Sequence, residues 1–223
     1  MPSSIEKVVD EFLFPTINTI VRTLDYESIA EIHLKLNSNY ASVQSNLGCG
    51  MLGLLFLTVS PAIYTKLLAV AFVPTVNPGP EPNISAGSTG ATIADLRYHH
   101  AVATNIFTEY ENTEKALRQL LLESTDELYV QYLCHQYIGY VKTTAHALLN
   151  HSYTTYANIS ASALQENGTR LQAPYDINQP FETLLDQVKN AVDYASSGDT
   201  PYTPTQIITI SFQLLFHTRI FND

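Results

Sequence analysis

Histidine is the side chain that can bind a metal ion or move a proton near neutral pH, and this chain has seven of them. They are His33, His99, His100, His135, His146, His151 and His217. A metal site on a helix is typically built from two histidines four residues apart, with a carboxylate as third ligand. Here His146 and His151 are five apart, His99 and His100 are adjacent, and no H-E-x-x-H occurs. The spacing favours histidines on helix surfaces or in packing positions, so no metal ligand, cofactor or catalytic residue is predicted.

A second candidate is a glycine pattern. Gly48, Gly50 and Gly53 fit the letters G-x-G-x-x-G, which in dinucleotide-binding proteins follow a strand and precede a ribose-binding acid. The preceding residues, NYASVQSN, do not resemble such a strand, and the later run LLAVAFVPTV ends without an acid. We interpret the small residues as allowing two helices or a turn to pack closely. A nucleotide-binding enzyme that uses residues 48–53 is the less favoured alternative.

Cysteine usage and apolar runs indicate the compartment. Cys49 and Cys134 are too few for a secreted disulfide scaffold, and neither lies in a recognisable nucleophile motif. The N-terminus lacks the basic and apolar regions of a signal peptide, and the most apolar run, residues 47–59, is too short to cross a bilayer. A cytoplasmic protein without a membrane span is therefore predicted. The sequons at Asn83, Asn150, Asn158 and Asn167 are interpreted as chance occurrences.

The charge distribution argues against direct binding of nucleic acid. Eleven Lys and Arg face twenty-one Asp and Glu, a formal net charge of −10, and the basic residues are scattered. A phosphate backbone is bound through clustered cations that displace counterions. We expect the chain not to bind single-stranded RNA appreciably at physiological salt.

Helical periodicity predicts the elements that would carry these side chains, and no run alternates as a half-buried strand does. Expected caps are Asp25, Ser60, Thr92, Ser124 with Glu127, Ser160 or Ser162, and Thr203 with Gln206. Apolar stripes are expected at Ile63, Leu67, Val70 and Ala71; at Val130, Leu133, Cys134, Tyr137, Ile138 and Val141; and at Ala145, Leu148, Leu149, Ser152, Tyr153 and Tyr156. Two later stripes are expected at Phe181, Leu184, Leu185, Val188, Ala191, Val192 and Ala195, and at Ile207, Ile210, Leu214 and Leu215. Asn158 is expected to end its helix in a left-handed conformation. Residues 74–90, rich in Pro and Gly, are predicted to be a long exposed loop. The sequence therefore predicts an all-α protein.

Three runs of this chain resemble a known family. They are YESIAEIHLKLNSNYASVQSNLGCGMLGLLFLTVSPAIY, FTEYENTEKALRQLLLESTDELYVQYL, and the stretch from GYVKTTAHALLNHSYTTYANIS to TPTQIITISFQLLF. Together they resemble the Gag capsid region of copia-type LTR retrotransposons, from about Tyr26 onward. The likeness lies in many apolar and polar positions taken together rather than in one signature motif.

The resemblance implies a structural, non-enzymatic capsid protein of two helical lobes that self-associates into a particle around element RNA. Residues 1–24 would be an N-terminal extension, residues 25–157 the first lobe, and residues 158–223 the start of a truncated second lobe. Family members typically continue into a further helical part and a zinc knuckle that binds RNA, so RNA contact is expected only through a region missing from this chain. A host-domesticated helical interaction module is the alternative reading of the same resemblance.

Overall fold

The computed structural model describes residues 4–20, 23–45, 47 and 50–217, and these residues form an all-α protein, as the sequence predicts. No strand occurs among them; one isolated antiparallel bridge joins His135 and Gly139. The chain divides into two compact units, residues 1–157 and residues 158–223.

Along the sequence, the helices of the first unit precede and follow one extended loop. Their bounds are α1 Ile5–Asp10, α2 Tyr26–Ser42, a 3-10 helix Gly50–Leu57, α3 Pro61–Leu68, α4 Gly90–Ser124, α5 Glu127–Val130, a 3-10 turn Gln131–Leu133, and α6 Ala145–Tyr156. The helices of the second unit are α7 Ala161–Leu171, α8 Phe181–Ser197 and α9 Pro204–His217.

Most of the predicted helix starts are confirmed. Asp25 caps α2, Ser60 caps α3 and Ser160 caps α7, each with its side-chain oxygen accepting a backbone N–H of the first turn. Thr203 and Gln206 form the predicted capping box of α9: the Thr203 N–H donates to Gln206 Oε1 at 2.8 Å, and the Gln206 N–H donates to Thr203 Oγ1 at 3.3 Å.

The start of α4 was predicted three residues too late. Thr89, and not Thr92, caps the helix, because Thr89 Oγ1 accepts the N–H of Thr92 at 3.2 Å. Gly90 is therefore helical, and the exposed loop predicted for residues 74–90 ends at Thr89. The helix has 35 residues, which corresponds to roughly 52 Å.

The core of the first unit forms where the second half of α4 meets α2 and α6. Among its most deeply buried side chains are Leu36, Leu117, Leu148 and Leu149. Every buried residue of α4 lies between Thr113 and Ser124, so the second half of this helix carries the packing.

The N-terminal segment is part of this core, which corrects its interpretation as an extension over residues 1–24. Val8, Phe12 and Ile17 are buried in the main hydrophobic cluster. The segment is also held by Asn39 of α2, whose Oδ1 accepts the Phe14 N–H at 2.7 Å and whose Nδ2 donates to the Phe14 carbonyl at 2.8 Å. A side-chain amide can satisfy both backbone groups of one residue in this way, so a chain segment without helix is fixed against α2.

The helix predicted after Ser124 is wrong. Ser124 ends α4, Asp126 caps the four-residue α5, and a short 3-10 turn follows. The predicted stripe at Val130, Leu133, Cys134, Tyr137, Ile138 and Val141 is broken, and of these side chains only Val130 is fully buried.

Tertiary hydrogen bonds explain why this segment is not helical. Arg118 Nη1 donates to the carbonyl oxygens of Val141 and Thr143, both at 3.0 Å, and Glu114 Oε1 accepts the N–H of Ala145 at 3.0 Å. Gly139 has φ +57°, a left-handed conformation that glycine adopts without steric cost. Bonds to α4 therefore replace the local bonds of the helix that the periodicity predicts.

The stripe predicted for α3 is also wrong. Ile63, Leu67 and Val70 are exposed, whereas Tyr64 is buried with its ring centroid 5.3 Å from that of Phe72. The helix stops at Leu68 because Ala69 is left-handed, at φ 55°. Because α3 has only about two turns, it buries a single side chain, the large ring of Tyr64.

Helix α6 carries the predicted packing face but ends differently. Ala145, Leu148, Leu149 and Ser152 are buried, which confirms that part of the stripe. The helix ends at Tyr156 with Ala157 as its C-cap, and Asn158 does not have positive φ, so the predicted left-handed stop at Asn158 is wrong.

In the second unit α7 packs on α8. Leu184, Ala191 and Ala195 of the predicted α8 stripe are buried, whereas Phe181 and Leu185 are exposed. Gly198 ends α8 as predicted, and a Cβ there would lie 2.8 Å from Leu164 Cδ2, so the absent side chain allows close packing of the helix end.

Gln187 of α8 caps the end of α7, and we expect Gln187→Ala to lower the free energy of unfolding of the second unit by about 1–2 kcal/mol. Its Nε2 lies 3.0–3.1 Å from the carbonyl oxygens of Arg170, Leu171 and Ala173, groups that a helix end leaves without an intrahelical partner. Urea unfolding followed by circular dichroism measures the change. Gln165→Ala, at an exposed position of α7, is the control; equal midpoints for the two variants would contradict the capping role.

Candidate functional site

The structure brings together two of the seven histidines, which the sequence treated as scattered. His33 of α2 and His146 of α6 lie close enough to interact electrostatically, and Tyr153 of α6 completes the group. Nδ1 of His33 is 3.1 Å from the Tyr153 hydroxyl oxygen, and the two rings meet edge to face at 5.6 Å. Tyr26 packs edge-on against Tyr153 at 6.2 Å between ring centroids. We call these four side chains the α2–α6 seam.

Helix geometry explains how the seam is assembled. Tyr26 and His33 are seven residues apart on α2, and His146 and Tyr153 are seven apart on α6. Seven residues make about two turns, so each pair lies on one face of its helix. The packing of α2 on α6 then joins the two faces.

Burial favours the neutral forms of three of the four seam side chains, His33, His146 and Tyr153. Burial lowers the pKa of His33; the backbone of Thr58 offsets part of this effect, and the nearby His146 adds to the lowering. Burial also lowers the pKa of His146. Burial, with a smaller contribution from Tyr26, raises the pKa of Tyr153 to about 12. A neutral imidazole and a neutral phenol therefore share the hydrogen bond, an arrangement that joins helices and can accept a proton on acidification.

His151 belongs to a different group, at the surface of α6. Its Nε2 is 3.2 Å from the Tyr129 carbonyl oxygen, and because a carbonyl only accepts, Nε2 carries the hydrogen. Its ring lies nearly parallel to that of Tyr132, with 6.1 Å between the ring centroids, and nearly perpendicular to that of Tyr156, with 5.9 Å between the centroids. These contacts fix the ring in a surface aromatic cluster.

The remaining histidines do not form a site with each other. His99 lies 3.3 Å from Asp95 on the exposed side of α4, His100 approaches Thr104 one turn further on, and His135 lies at the isolated bridge. The side chain of His217 is outside the described residues. Over the ranges that the structure describes, no three His, Cys, Asp or Glu side chains could share a metal ion.

The glycine pattern leads to an apolar cleft. Gly48 and Cys49 lie outside the described residues; Gly50 begins the 3-10 helix, and helix α2 is the described element before it. Next to Gly53 is a cleft of about 320 Å³ lined by Leu47, Gly53, Tyr64, Val70, Ala71, Phe72 and Val73. This lining carries no basic side chain for a pyrophosphate. Gly53 instead faces the backbone of Leu47, where a Cβ would lie 2.0 Å from the carbonyl oxygen.

The asparagines of the four glycosylation sequons differ in solvent exposure. Asn83, Asn150 and Asn158 are exposed, whereas Asn167 is buried in the second unit and donates from Nδ2 to the Ala191 carbonyl at 2.9 Å. Glycosylation of Asn167 is therefore incompatible with the folded second unit.

Helix α9 presents an apolar face to solvent. Ile208, Phe212 and Phe216 follow at intervals of four residues and are 57%, 55% and 61% exposed, while Leu214 on the other side is 4% exposed. The Phe212 and Phe216 rings are 6.3 Å apart. Three large apolar side chains exposed along one helix face are typical of a protein interaction surface.

Comparisons with family models, curated proteins and solved structures gave no significant match. No helix within the described ranges is both long enough and apolar enough to cross a membrane.

Proposed function

We propose that this chain is a structural Gag-like capsid protein that self-associates through weak, repeated contacts. The observation that carries the proposal is the exposed face of α9, formed by Ile208, Phe212 and Phe216. The all-α architecture and the resemblance to copia-type capsid regions agree with this proposal. The role is mechanical: apolar burial between copies supplies the association free energy, and many small contacts together stabilise a particle.

Charge works against association only weakly. The formal net charge of −10 repels copies from one another, but surface repulsion is screened within about 8 Å at physiological salt. Burial of apolar surface is unaffected by such screening. Association should increase with protein concentration, and salt removal, which strengthens the repulsion, should oppose it only weakly because apolar burial supplies most of the free energy.

We expect Phe212→Asp to weaken self-association about 10-fold to 100-fold, because burial of one phenylalanine contributes about 1.5–3 kcal/mol. Sedimentation and light scattering over a range of concentrations measure the change. Gln213→Asp is the matched control, because it adds the same charge at an exposed position of α9 that lies about 100° around the helix from Phe212. Leu214 is unsuitable for this test, since it is buried and its replacement by Asp would unfold the helix.

Two outcomes would contradict the proposal. One is a wild-type chain that stays monomeric at high concentration in both high and low salt. The other is an equal effect of Phe212→Asp and Gln213→Asp, which would assign the effect to charge and not to the apolar face. Circular dichroism of both variants must first show intact helices.

A further inference from the structure

We propose that the α2–α6 seam is an acid-sensitive latch: it holds the two helices together near neutral pH and loosens when His33 or His146 takes up a proton. Independently of any role in assembly, this would make the first unit pH-sensitive through a pair of helices that lie far apart in sequence.

His33 is held between the two helices, and one of its ring nitrogens is shielded from solvent. Its ring lies between α2 and α6, with Nδ1 bonded to the Tyr153 hydroxyl at 3.1 Å. Its other nitrogen, Nε2, is shut off from solvent and makes no hydrogen bond with the described residues. Asn37, one turn further along α2, likewise has a buried Oδ1 without a hydrogen-bond partner among those residues. Nε2 of His33 is therefore shielded from the bulk solvent, which would stabilise an imidazolium.

The groups that face His33 come from α6 and from the end of the 3-10 helix. From α6 they are the His146 imidazole and the Tyr153 phenol, and from the end of the 3-10 helix the Thr58 backbone. Tyr26 of α2 faces Tyr153. None of these groups is a carboxylate that could pair with a positive charge, and a charge on either histidine would disfavour a charge on the other.

Proton uptake by His33 changes the hydrogen bonds of the seam. If Nδ1 of the neutral His33 accepts from the Tyr153 hydroxyl, the added proton goes to Nδ1, and the phenol hydrogen has to turn away to another acceptor. If Nδ1 instead donates to the Tyr153 oxygen, the added proton goes to Nε2 and creates a buried N–H there, with the Thr58 backbone as the nearby group that favours the charged form. Leaving a buried donor without a good partner costs free energy that the open, hydrated seam does not incur.

The direction of the pH effect follows from linkage. The pKa values of His33 and His146 are lowered by burial from the ordinary 6.5, so near pH 6 the unfolded chain binds more protons than the folded one. Stability therefore falls as pH decreases through 6.5. The unfolding equilibrium constant should rise by up to about tenfold for each of the two histidines between pH 7.5 and pH 5.5.

Other buried groups act in the opposite direction. Burial raises the pKa of the Glu109 and Glu114 carboxyls, so the folded state binds their protons more tightly and gains stability on acidification. A comparison of wild type with variants cancels this contribution, because both carboxyls are unchanged in each protein.

The first experiment compares urea unfolding of the full chain at pH 7.5 and pH 5.5 for wild type, His33→Gln and His146→Gln. Glutamine keeps a polar side chain that can bond to Tyr153 but does not titrate. In each variant, the rise of the unfolding equilibrium constant between pH 7.5 and pH 5.5 should be smaller than in wild type by a factor of up to about ten. His99→Gln, at an exposed position, is the control and should keep the wild-type dependence. Equal pH dependence in all four proteins would overturn the proposal.

The second experiment does not depend on a variant that folds. In wild type, the midpoint of the NMR titration of His33 should lie below pH 6.5, and amide protection at pH 5.5 should fall in α2 and α6 more than in α8. Residues 158–216 contain no histidine, so α8 is an internal reference. A His33 that titrates at or above 6.5, or an equal loss of protection in α8, would exclude a local latch.

Discussion

Replacing Asn39 with alanine should lower the free energy of unfolding of the first unit by about 2–4 kcal/mol, because two backbone groups lose their partners. The Asn39 amide is fully buried, at 0% exposure, and it bonds to both the N–H and the carbonyl of Phe14. Alanine would leave that donor and that acceptor unpaired and would open a cavity at α2. The N-terminal segment, with Val8 and Phe12 buried in the core, should detach first.

Urea unfolding followed by circular dichroism or tyrosine fluorescence gives the measurement, and the chain has no tryptophan to obscure the latter. Asn150→Ala, at an exposed position of α6, is the matched control and should change stability by less than about 0.5 kcal/mol. Asn39→Asp should be at least as damaging as Asn39→Ala, because the carboxylate keeps the bond to the Phe14 N–H but faces its carbonyl. An Asn39→Ala chain as stable as the Asn150→Ala control would show that water replaces the amide.

The sequence predicted best those features that depend on neighbouring residues. The caps at Asp25, Ser60 and Ser160 and the box at Thr203 and Gln206 were found because a cap joins residues two or three positions apart. The all-α class followed from periodicity for the same reason.

The predictions failed where distant parts of the chain decide the conformation. Residues 130–141 have helical spacing, but Arg118 and Glu114 of α4 bind the backbone at Val141, Thr143 and Ala145. A local pattern contains no information about those partners. The N-terminal segment was misjudged for a related reason, since its attachment to Asn39 spans 25 residues and leaves no periodic signal.

The seam shows the same limit at a candidate site. His33 and Tyr153 are 120 residues apart, so no motif joins them. The sequence did contain half of the signal: Tyr153 was assigned to a packing face of α6, and His146 shares that face seven residues earlier. Without knowledge that α2 packs on α6, the pairing with His33 could not be derived.

Gly53→Ala tests the close packing that the sequence predicts at the glycine pattern, and we expect it to lower the free energy of unfolding of the first unit by about 3 kcal/mol. A Cβ at Gly53 would lie 2.0 Å from the Leu47 carbonyl oxygen and 2.7 Å from its carbonyl carbon. Both atoms belong to the backbone, so no rotation of a flexible side chain can relieve the overlap. Either the 3-10 helix or the segment before it has to move.

Gly90→Ala is the control for the general effect of replacing a glycine. No heavy atom lies within 4 Å of a Cβ at Gly90 in the first turn of α4, so alanine should be neutral there or stabilise the protein by up to about 1 kcal/mol. Thermal or urea unfolding of both variants beside wild type gives the comparison. A Gly53→Ala chain that matches Gly90→Ala would mean that the contact with Leu47 is not present in solution.

The same variant separates the two interpretations of the glycine pattern. If Gly53 serves close packing, Gly53→Ala loses stability and nucleotides stabilise neither protein. If it serves a phosphate, nucleotide at 100 times its Kd should stabilise wild type by about 2.7 kcal/mol, and the variant should lose that gain. The apolar lining of the adjacent cleft, with Tyr64, Val70 and Phe72, leads us to expect the first result.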